Sequence, residues 1–178
     1  MIEGPGKEAL IGSAVFALCI GLLLFLRLLP LSSGLVGWPG PDIAVCLVFA
    51  WVLRRPDQIA APMIVVMFLV EDILLLRPLG LWTVLVLVGT EAARLREPRW
   101  REQAFMIEWM RVGILIGAMM LANRLVLLLF LMPVPALGQV ILQFLATLAA
   151  YPVVVFVARW TIGLRRISAS DAEMMRNR

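Results

Sequence analysis

The chain alternates between long apolar runs and short breaks rich in charge, proline or glycine. About 20 consecutive apolar residues in helical form cross a bilayer core. On that measure residues 9–31 form a first span, ending at Pro30, and residues 32–41, SSGLVGWPGP, form a loop or turn. Residues 59–76 and 79–94 are two further spans hinged at Arg77-Pro78, with Pro78, Leu79 and Gly80 as a tight turn between them. Residues 105–131 and 137–160 complete the pattern. Residues 42–53, DIAVCLVFAWVL, are the short segment, since at helical rise they reach only about 18 Å.

Composition sets the solvent for these runs. Of 178 residues, 62% are hydrophobic and 16% charged. A water-soluble domain of this size cannot hide that much apolar surface. The expectation is a single integral membrane domain over residues 1–178, all-α and polytopic, with six transmembrane helices of which the second is short. The first apolar run is too long for a signal h-region and no small-residue cleavage site follows it, so it is read as a retained span.

Charge then gives the orientation. The net charge of +4 is almost wholly arginine, with Lys7 the only lysine. Six spans with both termini cytoplasmic gather twelve basic residues on the inner side, among them Arg54, Arg55, the Arg94–Arg101 group and the tail from Arg159. Only Arg77 falls outside, and Arg27, Arg111 and Arg124 fall within spans. This asymmetry follows the positive-inside rule. If residues 42–53 dipped in and returned, the arginine clusters would flip outward, so the segment is predicted to cross with help from local bilayer thinning. Trp38 and Trp82 then mark the outer interface, and Trp51, Trp100, Trp109 and Trp160 the inner one. The basic balance reports orientation and contact with anionic lipid rather than nucleic acid.

Polar residues inside the spans are the candidate site. Arg27, Glu71, Asp72 and Arg124 lie at one level in the outer half. Intramembrane charges are expensive and pair with one another or with the backbone. Adjacent helical residues point about 100° apart, so Glu71 and Asp72 face different neighbours. The expected pair is Asp72 with Arg124 or Arg27, with Glu71 left at the headgroups or facing a partner protein. Arg27 is expected to snorkel. No second acid is read on another span at this depth, which weighs against a proton or ion relay. Glu108 and Arg111 are placed at the interfacial end of the fifth span.

Arg54-Arg55-Pro56 reads as a cytoplasmic anchor, with docking as the sharper alternative. Gly113 and Gly117 form a GxxxG, and Ser13, Ala17 and Gly21 a small-residue stripe. Both permit close helix approach, within the chain before a partner face. Asn123, Gln139 and Gln143 can pair across helices. There is no histidine, the two cysteines lie in apolar segments, and no nucleophile, metal or phosphate-loop motif is present. No enzyme activity and no cofactor are expected.

Residues 38 to 81, WPGPDIAVCLVFAWVLRRPDQIAAPMIVVMFLVEDILLLRPLGL, resemble the core of the bacterial rod shape-determining MreD family. The matching positions are Pro41 and Asp42, Trp51 and Pro56, Asp72 and Ile73, then Pro78, Leu79 and Gly80. Pro152 followed by an apolar run and a basic tail is similar too. Glu71 departs from the family's usual apolar or amide residue, and the 59–76 run lacks the glycines often found there. The resemblance implies a non-enzymatic scaffold of the cell-elongation and peptidoglycan-synthesis machinery in the bacterial inner membrane. Its expected direct partner is the bitopic protein MreC. Through it the chain would meet RodA, its transpeptidase partner and MreB. The implied fold is similar to the substrate-binding subunits of energy-coupling-factor transporters. A solute-binding subunit of that kind is the alternative. It would need a polar cavity on the outer side, capped by a loop, and LMPVPALG offers little for a cap.

Overall fold

The computed structural model of the chain describes residues 6–29, 40–100 and 104–161. The loop expected over 32–41 lies mostly outside them, as do Trp38, Arg101, the basic tail and the side chains of Lys7 and Trp100. Among the described residues the chain is all-helical. The helices are α1 (Lys7–Leu28), α2 (Ile43–Val52), α3 (Ala61–Leu74), α4 (Leu81–Trp100), α5 (Phe105–Leu129) and α6 (Leu137–Thr161), with a single 3₁₀ turn at Pro56–Gln58. Three segments, Ala9–Leu28, Phe105–Leu129 and Leu137–Thr161, are long and apolar enough to cross a membrane.

The short helix α2 is the centre of the bundle. It packs against α6, α4 and α1, while α3 joins α1 to α4 and α5 lies between α4 and α6. Every residue from Ala44 to Leu53 is buried. Successive helical residues point about 100° apart, so ten buried in a row leave the helix no open face. This accounts for its length. A helix enclosed by side chains is solvated by protein, and its ten residues, about 15 Å, need match only its neighbours. Bilayer thinning is not required to accommodate it. Trp51 belongs to this core, edge-on to Phe16 at 5.5 Å between ring centroids. It is therefore not an interfacial marker, and Trp82 is buried as well. Trp160, at 83% exposed, does lie on the surface.

Both α3 and α5 end in the same way. The N–H of Leu76 donates to Ile73 O at 3.3 Å and that of Arg77 to Asp72 O at 3.0 Å. Leu131 and Met132 repeat the pattern onto Leu128 and Leu127. These are Schellman closures, which place one residue in the left-handed region, usually glycine. Here the residues are Leu76, φ 52°, and Leu131, φ 55°. Both side chains are 94% exposed, so neither is held there by packing. Leu76→Gly is expected to raise stability by about 1 kcal/mol, measured as a higher unfolding midpoint of the purified protein. Beyond Leu76 the chain reverses at Pro78, Leu79 and Gly80, where Leu81 N–H donates to Pro78 O at 3.2 Å and Gly80 has φ 81°.

Gly113 and Gly117 face α6 of the same chain. A Cβ at Gly113 would lie 2.6 Å from Leu148 Cδ1, and one at Gly117 3.2 Å from the Phe144 ring. Gly113→Val is expected to force these helices apart and cost about 1–3 kcal/mol, read as a lower midpoint of unfolding. The stripe on α1 behaves differently. Ser13 Oγ bonds the carbonyls of Ala9 and Gln58, tying α1 to the 3₁₀ turn. Ala17 is half-buried, but a Cβ at Gly21 would meet nothing within 4 Å, so Gly21 seats no described helix of this chain.

Candidate functional site

A polar cluster sits at each end of α2. At its N-terminal end Asp42 caps the helix. The carboxylate accepts from Val45 N–H at 3.4 Å, and Asp42 N–H donates to Thr147 Oγ1 on α6 at 3.0 Å. Capping follows from chemistry, since the first N–H groups of a helix lack intrahelical acceptors. Arg27 reaches across from α1. Its guanidinium donates to Glu71 Oε1 at 2.8 Å and lies 3.8 Å from Asp42 Oδ2. Arg77 approaches Glu71 Oε1 at 3.6 Å and lies over the Trp82 ring, 5.6 Å from its centroid.

This arrangement corrects the expected pairing. The residue paired with arginine is Glu71, only 1% exposed, and not Asp72. Glu71 is thus neither at the surface nor free to face a partner protein. Asp72 points the other way, as adjacent helical residues must. Its Oδ2 accepts from Gly80 N–H at 3.1 Å, Thr83 N–H at 3.2 Å and Thr83 Oγ1 at 2.8 Å. It caps the start of α4 from the end of α3, where helix-terminal donors and the positive end of the dipole favour a carboxylate. Arg124 has no acidic partner among the described residues and donates instead to Pro135 O at 2.6 Å. Arg27 is two-thirds buried with its charge on two acids, so it does not simply snorkel. Asp42 supplies the second acid on another element that the sequence reading lacked. Its position, after Pro41 and ahead of an apolar run, was the available signal. One oxygen each of Asp42, Glu71 and Asp72 is buried without a hydrogen-bond partner among the described residues.

The cluster at the C-terminal end of α2 joins residues far apart in sequence. Arg54 donates to Glu108 Oε1 at 3.1 Å and to Ala50 O at 3.1 Å. Tyr151 donates its hydroxyl proton to the same Glu108 oxygen at 2.6 Å. Arg54, Glu108 and Tyr151 are all buried. Arg54 therefore forms a buried ion pair and is not an exposed surface anchor, and Glu108, in the first turn of α5, faces the protein interior. Arg55 stays half-exposed next to it. Nearby, Trp51 Nε1 donates to Gln58 Oε1 at 3.1 Å and Arg94 to Ile59 O at 2.7 Å, which fixes the link between α2 and α3.

Two cavities open beside the first cluster. One, ≈ 380 Å³, lies between α4, α5 and α6 and is lined by Arg77, Trp82, Asn123, Arg124, Gln143 and Asp42 among others. Met132, Pro133 and Pro135 of the α5–α6 loop border it, and the Arg124–Pro135 bond ties that loop to α5. The other, ≈ 340 Å³, lies between α1 and the start of α2, with Arg27 and Glu71 in an otherwise apolar lining. Among the described residues no three His, Cys, Asp or Glu side chains are grouped to hold a metal. The first cluster offers an electrostatic clamp around a helix terminus, with polar atoms turned toward a cavity. No family model, no curated protein and no solved structure matches the chain.

Proposed function

We propose that the chain is a multi-pass protein of the bacterial inner membrane, with six membrane-embedded helices and both termini cytoplasmic. In this reading it is a non-enzymatic scaffold of the cell-elongation machinery that binds MreC, and through it RodA, its transpeptidase partner and MreB. The membrane part is supported by the three long apolar helices and by large apolar side chains exposed on their outer faces, such as Leu18, Leu22, Ile114, Leu125, Val153 and Phe156. Side chains of this kind need lipid or a partner helix as solvent.

The observation that carries the scaffold reading is what the family-like positions do. Asp42 caps α2, Trp51 and Pro56 shape the turn after it, Asp72 caps α4, and Gly80 turns the chain into α4. Asp42, Trp51 and Pro56 bound α2, and Asp72 and Gly80 set the α3–α4 turn, so each has a structural reason for its place in the order. The test is cross-linking and co-purification of the full chain from membranes. MreC recovered well above an unrelated multi-pass protein supports the reading. Recovery with the ATPase module of a vitamin transporter, or no enrichment of MreC, overturns it. The ≈ 380 Å³ cavity favours the second reading, a solute-binding subunit of energy-coupling-factor type.

A further inference from the structure

The cavity between α4, α5 and α6 is rich in hydrogen-bond donors that the chain itself leaves unused. Its volume, ≈ 380 Å³, is that of a small-ligand site. Arg124 makes one hydrogen bond, to Pro135 O, and no ion pair among the described residues. A guanidinium carries five N–H donors. Arg77 contacts Glu71 at 3.6 Å and the Trp82 ring, and makes no hydrogen bond from its guanidinium among the described residues. The side-chain amides of Asn123 and Gln143, which also line the cavity, have no hydrogen-bond partner among them either.

Charge points the same way. Asp42 lines the cavity, but its free oxygen lies 3.8 Å from Arg27, and Glu71 is held by Arg27 and Arg77. Glu71 is paired with Arg27 and Arg77, and Asp72 is held by the Gly80 and Thr83 donors, while Arg124 is a guanidinium on the α5 side with no carboxylate within 4 Å among the described residues. Two guanidinium forks and two amides around one space suit a tetrahedral oxyanion, which arginine binds through paired N–H donors. Between them run Leu81, Met120, Leu127 and Val140, an apolar wall suited to the rest of an amphiphile. We infer that this cavity binds a phosphate group, carried on a membrane lipid or on a small organophosphate, with Arg124 and Arg77 as its ligands. The inference stands apart from the scaffold reading and does not need MreC.

The test uses native mass spectrometry of the full chain in detergent, titrated with phosphatidylglycerol, with diacylglycerol of the same acyl chains, and with glycerol phosphate. Phosphatidylglycerol is expected to bind and diacylglycerol not. Arg124→Gln is expected to weaken binding by roughly tenfold to a hundredfold, as for a lost charged hydrogen bond. Competition by glycerol phosphate identifies a free organophosphate as a sufficient ligand, whereas binding of the lipid alone identifies the membrane as the source. The double variant Asn123→Ala, Gln143→Leu keeps both arginines and is expected to weaken binding severalfold, which covers the case of an unstable Arg124 variant. Equal binding of diacylglycerol, or unchanged binding in these variants, overturns the inference.

Discussion

Arg54→Met is expected to lower stability by about 3–5 kcal/mol. The substitution keeps most of the side-chain volume and removes only the charge and the donors. Glu108, 1% exposed, then keeps its charge and its Tyr151 bond but loses the Arg54 guanidinium. Removing one member of a buried pair costs more than the pair contributes, because the surviving charge has lost water as well as its partner. The double variant Arg54→Met, Glu108→Leu should recover part of the loss, since it removes the stranded charge but leaves the buried Tyr151 hydroxyl without its acceptor. Tyr151→Phe should cost about 1.5–3 kcal/mol, the range for a hydrogen bond to a charged group. Thermal or SDS-induced unfolding of the three variants in one detergent checks the set. A double variant no more stable than Arg54→Met would show that α2 is held here by packing and not by charge.

The second large effect separates Asp72 from Glu71. Asp72→Ala should cost about 2–4 kcal/mol, because two backbone N–H groups and the Thr83 hydroxyl lose their acceptor together. Asp72→Asn should cost only about 1 kcal/mol, since the amide oxygen can still accept. An ion-paired aspartate would show the opposite, with Asn nearly as damaging as Ala. The exchange Asp72→Arg with Arg124→Asp should be no more stable than its single variants, because Arg124 is bonded to Pro135 and not to Asp72. Exchanging Arg27→Glu with Glu71→Arg should recover part of the loss of either single change. Rescue in the first exchange, and none in the second, would reverse the assignment made here.

What could be read from the sequence follows the range of each interaction. Helix positions were legible because apolar runs and Pro-Gly breaks are local, and α5 and α6 begin at the predicted residues Phe105 and Leu137. The helix α4 runs on to Trp100, past the predicted residue 94, because Arg94 lies inside it and does not end it. The divergence of Glu71 from Asp72 was legible too, from the 100° helical step. Their partners were not. Arg27 and Glu71 are 44 residues apart and Arg54 and Glu108 54 apart, and no periodicity encodes such a meeting. Burial was not legible either, because a hydropathy run reads the same whether lipid or protein surrounds it, and Arg54, Glu108, Trp51 and Trp82 prove to face the interior of the bundle.

That burial has a consequence for the order in which the chain is made. The helix α2 leaves the ribosome early, yet much of its enclosure comes late. Asp42 N–H and Cys46 Sγ both meet Thr147, more than 100 residues downstream, and Arg54 waits for Glu108. Until α6 is synthesised, a ten-residue apolar segment with an acid at one end and a base at the other has no finished environment. Chains build from the N-terminus, so contacts of this separation form last. A nascent protein halted before Leu137 therefore lacks the α6 contacts that cover α2. The last helix decides whether the second one is kept.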